Sequence, residues 1–193
     1  MERTGLRIIL MKINFGRLFS RKNSLQDIYS ENIFITNSES EKRYPSFVFV
    51  GGEVFAYSTR FMIKSDDLPK LVEKIEGRFN KKINDNEAIL SLKNRTLHYY
   101  QFKEFGQIVV DIITNDNNII DDISALALEP PLPSAVFPNR DIEPYGSLQG
   151  DIETWWNIYW FPFWGRLSLE EKKHYVEQRN ISNDLKEFLL LHN

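Results

Sequence analysis

Twenty-seven carboxylates, three histidines and no cysteine define the side-chain chemistry open to this chain of 193 residues. The absence of Cys excludes thiol nucleophiles, Cys-ligated zinc, iron–sulfur clusters and thiol redox sensing. His98, His174 and His192 fit no metal-binding spacing such as His-Glu-x-x-His. No Gly-x-Ser-x-Gly elbow, phosphate-binding loop or dinucleotide-binding glycine pattern is present. The run Asn115-Asp116-Asn117-Asn118, with Asp121 and Asp122, resembles a calcium loop in composition. It places Ile119 and Ile120 where glycine and an oxygen ligand belong, so it fails the EF-hand pattern. The acids would suffice for two-carboxylate hydrolysis, but no spacing singles out a pair. The expectation is a non-enzymatic binding protein that needs no cofactor and no metal. The alternative is a carboxylate-using phage or mobile-element enzyme, or a small-ligand-binding α+β domain.

Two other features favour binding. The formal net charge is only −3, but it is unevenly spread. Residues 1–30 carry +4, 31–103 carry +2, 104–153 carry −9, and 154–193 balance. The acids of the negative stretch are Glu104, Asp111, Asp116, Asp121, Asp122, Glu129, Asp141, Glu143, Asp151 and Glu153, against Arg140 alone. If Asp111 and the acids after it converge, they form an acidic surface that steers a basic protein partner into place. The second feature is Trp155, Trp156, Trp160 and Trp164, all within ten residues beside Tyr159, Phe161 and Phe163. Helical spacing makes them a core stripe or an aromatic anchor for an interface. Overall acidity argues against nucleic acid as a partner.

No apolar run approaches the ~20 residues that span a bilayer, so no membrane is expected and the cytoplasm is the expected location. Residues 1–23 are read as a basic, disordered N-terminal segment, with Met11 as a second candidate start. Phe15, Leu18 and Phe19 beside Arg17, Arg21 and Lys22 would make at most a short amphipathic anchor.

The elements that must position these residues follow from pattern. Leu25–Ser30 reads as a short helix. Ser46–Val50 and Val54–Ile63 read as strands joined by Gly51-Gly52, a pair suited to the positive φ of a tight hairpin. Because both faces of Ser46–Val50 are apolar, a central strand is expected there. Leu68, Leu71, Val72, Ile75 and Phe79 make one helical stripe behind the caps Ser65–Asp67. Ala88–Leu92, Thr96–Phe102 and Gln107–Ile113, linked by short breaks, read as an antiparallel meander. Residues 115–118 read as a turn, and Ile119–Leu128 fits a helix or a strand equally. Glu129–Tyr145 holds five of the eight prolines and is expected to run irregularly over the surface. Gly150–Phe161 reads as a helix stopped or kinked by Pro162. Ser168 with Glu171 forms a capping box, and Ser182 caps a last helix. The expected fold is α+β: an antiparallel sheet with one inserted amphipathic helix and a C-terminal helical section. Residues 24–193 would form a single domain with a Pro-rich seam at 129–145.

The segment Trp160-Phe161-Pro162-Phe163-Trp164, with Leu167-Ser168, Glu171-Lys172 and Tyr175, resembles the C-terminal part of bacterial immunity proteins. These are the partners of contact-dependent-inhibition, Rhs and other polymorphic toxins. The resemblance covers about forty residues. It implies a small α+β toxin inhibitor that works by protein–protein interaction, covering a basic toxin domain with acids that stand in for phosphates.

Overall fold

A computed structural model describes residues 25–37, 43–140 and 148–192. The protein has an α+β fold built on a five-stranded antiparallel sheet. The strands are β1 (Val48–Gly51), β2 (Val54–Ile63), β3 (Glu87–Leu92), β4 (Arg95–Glu104) and β5 (Gln107–Thr114), in the spatial order β1-β2-β5-β4-β3. Helix α1 (Leu25–Ile28) precedes the sheet, α2 (Leu68–Phe79) joins β2 to β3, and α3 (Asn117–Ala125) follows β5. The tail comprises α4 (Pro133–Val136), α5 (Gly150–Trp155), a π-helical turn (Trp156–Trp160), α6 (Phe161–Trp164), α7 (Leu169–Glu177) and α8 (Asn183–Leu191).

Strand alternation divides the core into layers. Tyr57, Phe61 and Ile63 of β2, Leu97 and Tyr99 of β4, and Val110 and Ile112 of β5 point to one face. That face is covered by Leu71, Ile75 and Phe79 of α2 and by Ile119, Ile120 and Ile123 of α3. On the opposite face, Met62 and Val109 pack under the tryptophan-rich tail. Ala56 and Ile113 pack there under Tyr29, next to α1. Asp116 settles the identity of α3: its side chain accepts the Asn118 amide and caps the helix, so 117–118 open a helix and are not a turn.

Three further expectations change. The strand expected at Ser46–Val50 forms as β1, at the edge of the sheet and not its centre. Gly51 (φ 77°) and Gly52 (φ 63°) turn the chain straight into β2, and β5 already occupies the other side of β2. The proline-rich stretch is only partly a surface run: Pro130, Pro131 and Pro133 are buried, while Pro138–Arg140 are exposed. Pro162 does not end its helix. The Phe161 amide reaches back five residues to the Trp156 carbonyl, and this widened turn lets the helix continue past the proline ring. Phe161 keeps helical angles, and the Gly165 amide resumes the four-residue pattern to the Phe161 carbonyl at 2.8 Å. The Ser168–Glu171 capping box is complete, and Ser182 caps α8. The seam at 129–145 is partly outside the described residues, and the basic segment 1–23, with its anchor residues and Met11, lies wholly outside them.

Helix α1 docks through a buried polar contact. Tyr29 donates its hydroxyl hydrogen to the Ile113 carbonyl at 3.0 Å and lies 2.7 Å from His98 Nδ1. Burial pushes the His98 pKa down to about 4. The unfolded chain therefore binds more protons between about pH 6.5 and 4, and stability declines as pH falls through that window. His98→Asn should flatten this part of the urea-midpoint profile between pH 7 and 4, and an unchanged slope would show that other groups set it.

Candidate functional site

Of the eight acids of the negative stretch among the described residues, six have partners within the chain. Asp111, 3% exposed, receives Nε and Nη2 of Arg60, each at 2.7 Å. The two residues stand directly opposite each other on β5 and β2. The Arg60 guanidinium also lies 5.3 Å from the Phe102 ring centroid. Asp116, 2% exposed, receives Nε and Nη2 of Arg78 at 2.7 and 3.1 Å while also capping α3. Glu129 binds Lys64 Nζ at 2.7 Å and Arg179 at 2.6 Å, joining the sheet side to the tail. Burial alone would raise its pKa, but the Arg179 and Lys64 bonds hold the carboxyl below its ordinary value. Asp151 forms a two-point pair with Arg140 at 2.5 and 2.7 Å, and Asp121 lies 3.4 Å from Arg43. Glu104 accepts the Tyr159 hydroxyl. Asp122 and Glu153 have no ion-pair partner among the described residues, although Asp122 contributes to the field on Arg78. Asp141 and Glu143 lie outside the described residues.

Six cations from outside the negative stretch or within it (Arg43, Arg60, Lys64, Arg78, Arg140 and Arg179) thus neutralise five of its acids. The local −9 is an excess along the chain and not an equal excess on the surface. Asp111 and Asp116 are positioned to stabilise the fold, because removing one member of a buried pair strands the other.

The four tryptophans are core. Trp155, Trp160 and Trp164 are fully buried, and Trp156 is 3% exposed. Trp155 meets Phe137 edge-on at 5.7 Å, Trp156 packs against Phe188 and His192, and Trp164 meets Tyr175 at 5.6 Å. They anchor the tail to the sheet, with the Trp155 indole donating to Met62 Sδ at 3.4 Å. Phe161, on the outer side of the same helix, is 46% exposed.

Two surface features had no clear signal in the sequence. The first is an aromatic group at the β1 edge. Phe34 lies 5.1 Å from Phe49, 5.9 Å from Phe55 and 5.3 Å from Tyr57, ring centre to ring centre. Phe49 is 39% exposed and the adjoining Ile35 is 55% exposed. Segment 33–37 is stapled over the strands by Arg95 to the Ile33 carbonyl, Asn117 to the Ile35 carbonyl, and the Asn37 amide to the Tyr57 hydroxyl. The second is a cleft of about 380 Å³ between the start of α2 and the β3–β4 pair, lined by Leu68, Val72, Ile83, Asn84, Asp85, Asn86 and Gln101. Both arise where segments distant in sequence meet, so neither has a periodicity or motif of its own.

Among the described residues, no group of three or more histidines and acids is placed to hold a metal ion, and no helix is long and apolar enough to cross a membrane. No family model, curated protein or solved structure matches the chain.

The ion-pair geometry separates the acids by role. Asp116→Lys should destabilise the protein by about 3–5 kcal/mol, because it removes a cap and places two cations together at a buried site. Asp121→Lys and Asp122→Lys should each stay within about 1 kcal/mol of the parent. Urea denaturation of the three variants checks this ranking, and equal stabilities would refute it.

Proposed function

We propose that the chain is a non-enzymatic protein-binding module whose partner is a basic protein domain. Its biological role, on this reading, is that of a cytoplasmic immunity protein neutralising a cognate bacterial toxin. The carrying observation is the aromatic group at the β1 edge. Large apolar side chains that remain exposed while held rigidly by hydrogen bonds are suited to act as interface anchors, because little ordering remains to be done on binding. Glu31 and Glu53 are exposed near this group, on the turn before Phe34 and at the β1–β2 hairpin. As close neighbours of Phe34 and Phe55 in the chain, they supply negative charge suited to a basic partner. The tail resemblance supports the toxin-inhibitor role, and among the described residues Asp122 and Glu153 are acids of the negative stretch available to add steering.

A second reading, a small-ligand-binding domain, draws support from the cleft at Asn84–Asn86.

Co-expression with the product of the neighbouring reading frame, followed by affinity capture, should recover a 1:1 complex. Phe49→Asp and Ile35→Asp should each weaken it about thirtyfold or more with little change in melting temperature. Asp122→Lys with Glu153→Lys should mainly slow association and reduce its salt dependence. Parent-like affinity in both patch variants would remove the aromatic edge as the contact surface.

A further inference from the structure

The cleft has a directional polar wall, and that direction identifies what it can hold. Tyr99 is fully buried, and burial raises its pKa above the ordinary phenol value, so it remains a donor. Its hydroxyl donates to Gln101 Oε1 at 2.5 Å. This fixes the Gln101 amide with its oxygen toward the core and its NH2 toward Asn86, where Nε2 donates to Oδ1 at 2.8 Å. Asn86 is then fixed in turn, since an oxygen committed to Gln101 leaves its NH2 as the free end. The Gln101 backbone N–H also donates to the Asn86 backbone carbonyl at 2.7 Å, which holds the two residues side by side. One buried hydroxyl therefore sets the polarity of two cleft amides in series.

The other groups complete the pattern. Leu68, Val72 and Ile83 supply an apolar floor. Asn84 and Asp85 have no hydrogen-bond or ion-pair partner among the described residues, and both line the cleft. The two lysines of the same loop are occupied: Lys82 pairs with Glu76 at 2.6 Å, and Lys81 donates to the Ile89 carbonyl at 3.0 Å on the outer edge of β3. Asp85 is thus the charged group of the cleft lining, which it shares with the amides of Asn84, Asn86 and Gln101 and with three apolar side chains. A ligand that satisfies all three carries a cation, a carbonyl and a compact apolar group.

We propose that this cleft binds small primary ammonium compounds bearing an aliphatic group and a carboxamide. The ammonium pairs with Asp85, the carbonyl accepts from Asn86, and the aliphatic group rests on Leu68, Val72 and Ile83. The proposal rests on the small-ligand reading and is independent of any protein partner. The volume of the cleft is in the range of sites for ligands of this size.

The probe is L-leucinamide, compared with neutral N-acetyl-L-leucinamide and anionic N-acetyl-L-leucine. Each is titrated into the 15N-labelled full chain while the side-chain NH2 signals of Asn84, Asn86 and Gln101 are followed. Leucinamide should shift these signals saturably with millimolar affinity, about three- to fivefold tighter than the neutral analogue, as expected for a partly exposed ion pair. Asp85→Asn should abolish that preference without altering the rest of the spectrum. Val72→Ser should weaken all three probes by removing part of the apolar lining, with backbone signals confirming the fold. Equal affinity for the three probes would overturn the ammonium assignment while leaving a ligand site in place. No saturable shift with any probe up to about 50 mM would overturn the site itself.

Discussion

The bidentate Arg60–Asp111 pair at the centre of the sheet is the constraint on which the rest of the arrangement depends. The two residues stand opposite each other on the middle strands, with Asp111 almost completely buried. Tyr100 faces Asp111 from the next strand. A slip of one residue would send the apolar sets of β2 and β5 to the wrong faces. A slip of two would keep the faces but strand a buried carboxylate, at a cost of about 3–5 kcal/mol. The pair therefore selects one register among those that hydrophobic alternation permits. It also divides the opposite face of the sheet, with Met62 and Val109 under the tail on one side and Ala56 and Ile113 next to α1 on the other.

With that register set, the two helical layers attach by different means. Helices α2 and α3 use apolar stripes, joined by Arg78 reaching from one to the cap of the other. The tail uses aromatic bulk, supplemented by Glu129, which takes Lys64 on one side and Arg179 on the other. The Arg179 guanidinium lies 3.1 Å from the Tyr175 ring centroid, so the same cation serves a carboxylate and an aromatic face. Asp111, Asp116 and Glu129 of the negative stretch thus act as internal fasteners. What this leaves at the surface is an aromatic edge at β1 and an amide-lined cleft at the far side of the sheet, with separate chemistries and separate elements.

Much of the fold was legible in the chain. The α2 stripe, the β3–β4–β5 meander, the Gly51-Gly52 hairpin and the Ser168–Glu171 capping box are local patterns whose physics acts over a few residues, and all are present. The candidate contact residues were less legible. Asp116 and Asp122 have the same charge and lie six residues apart, yet one is buried against Arg78 and the other makes no ion pair among the described residues. Trp160 and Phe161 are adjacent, yet one is fully buried and the other 46% exposed.

By itself, the sequence determined the α+β class, the exclusion of thiol chemistry, the main periodic elements and the tryptophan stripe, because each follows from residue type and short spacing. Tertiary structure alone decided that the strand of Ser46–Val50 lies at an edge, that the helix runs through Pro162, and which acids meet cations. Those outcomes depend on contacts between residues far apart in the chain: Arg60 with Asp111, Arg78 with Asp116, Arg179 with Glu129. Charge adds along a chain by neighbourhood in sequence, but it is cancelled by neighbourhood in space, and only the folded arrangement supplies the second.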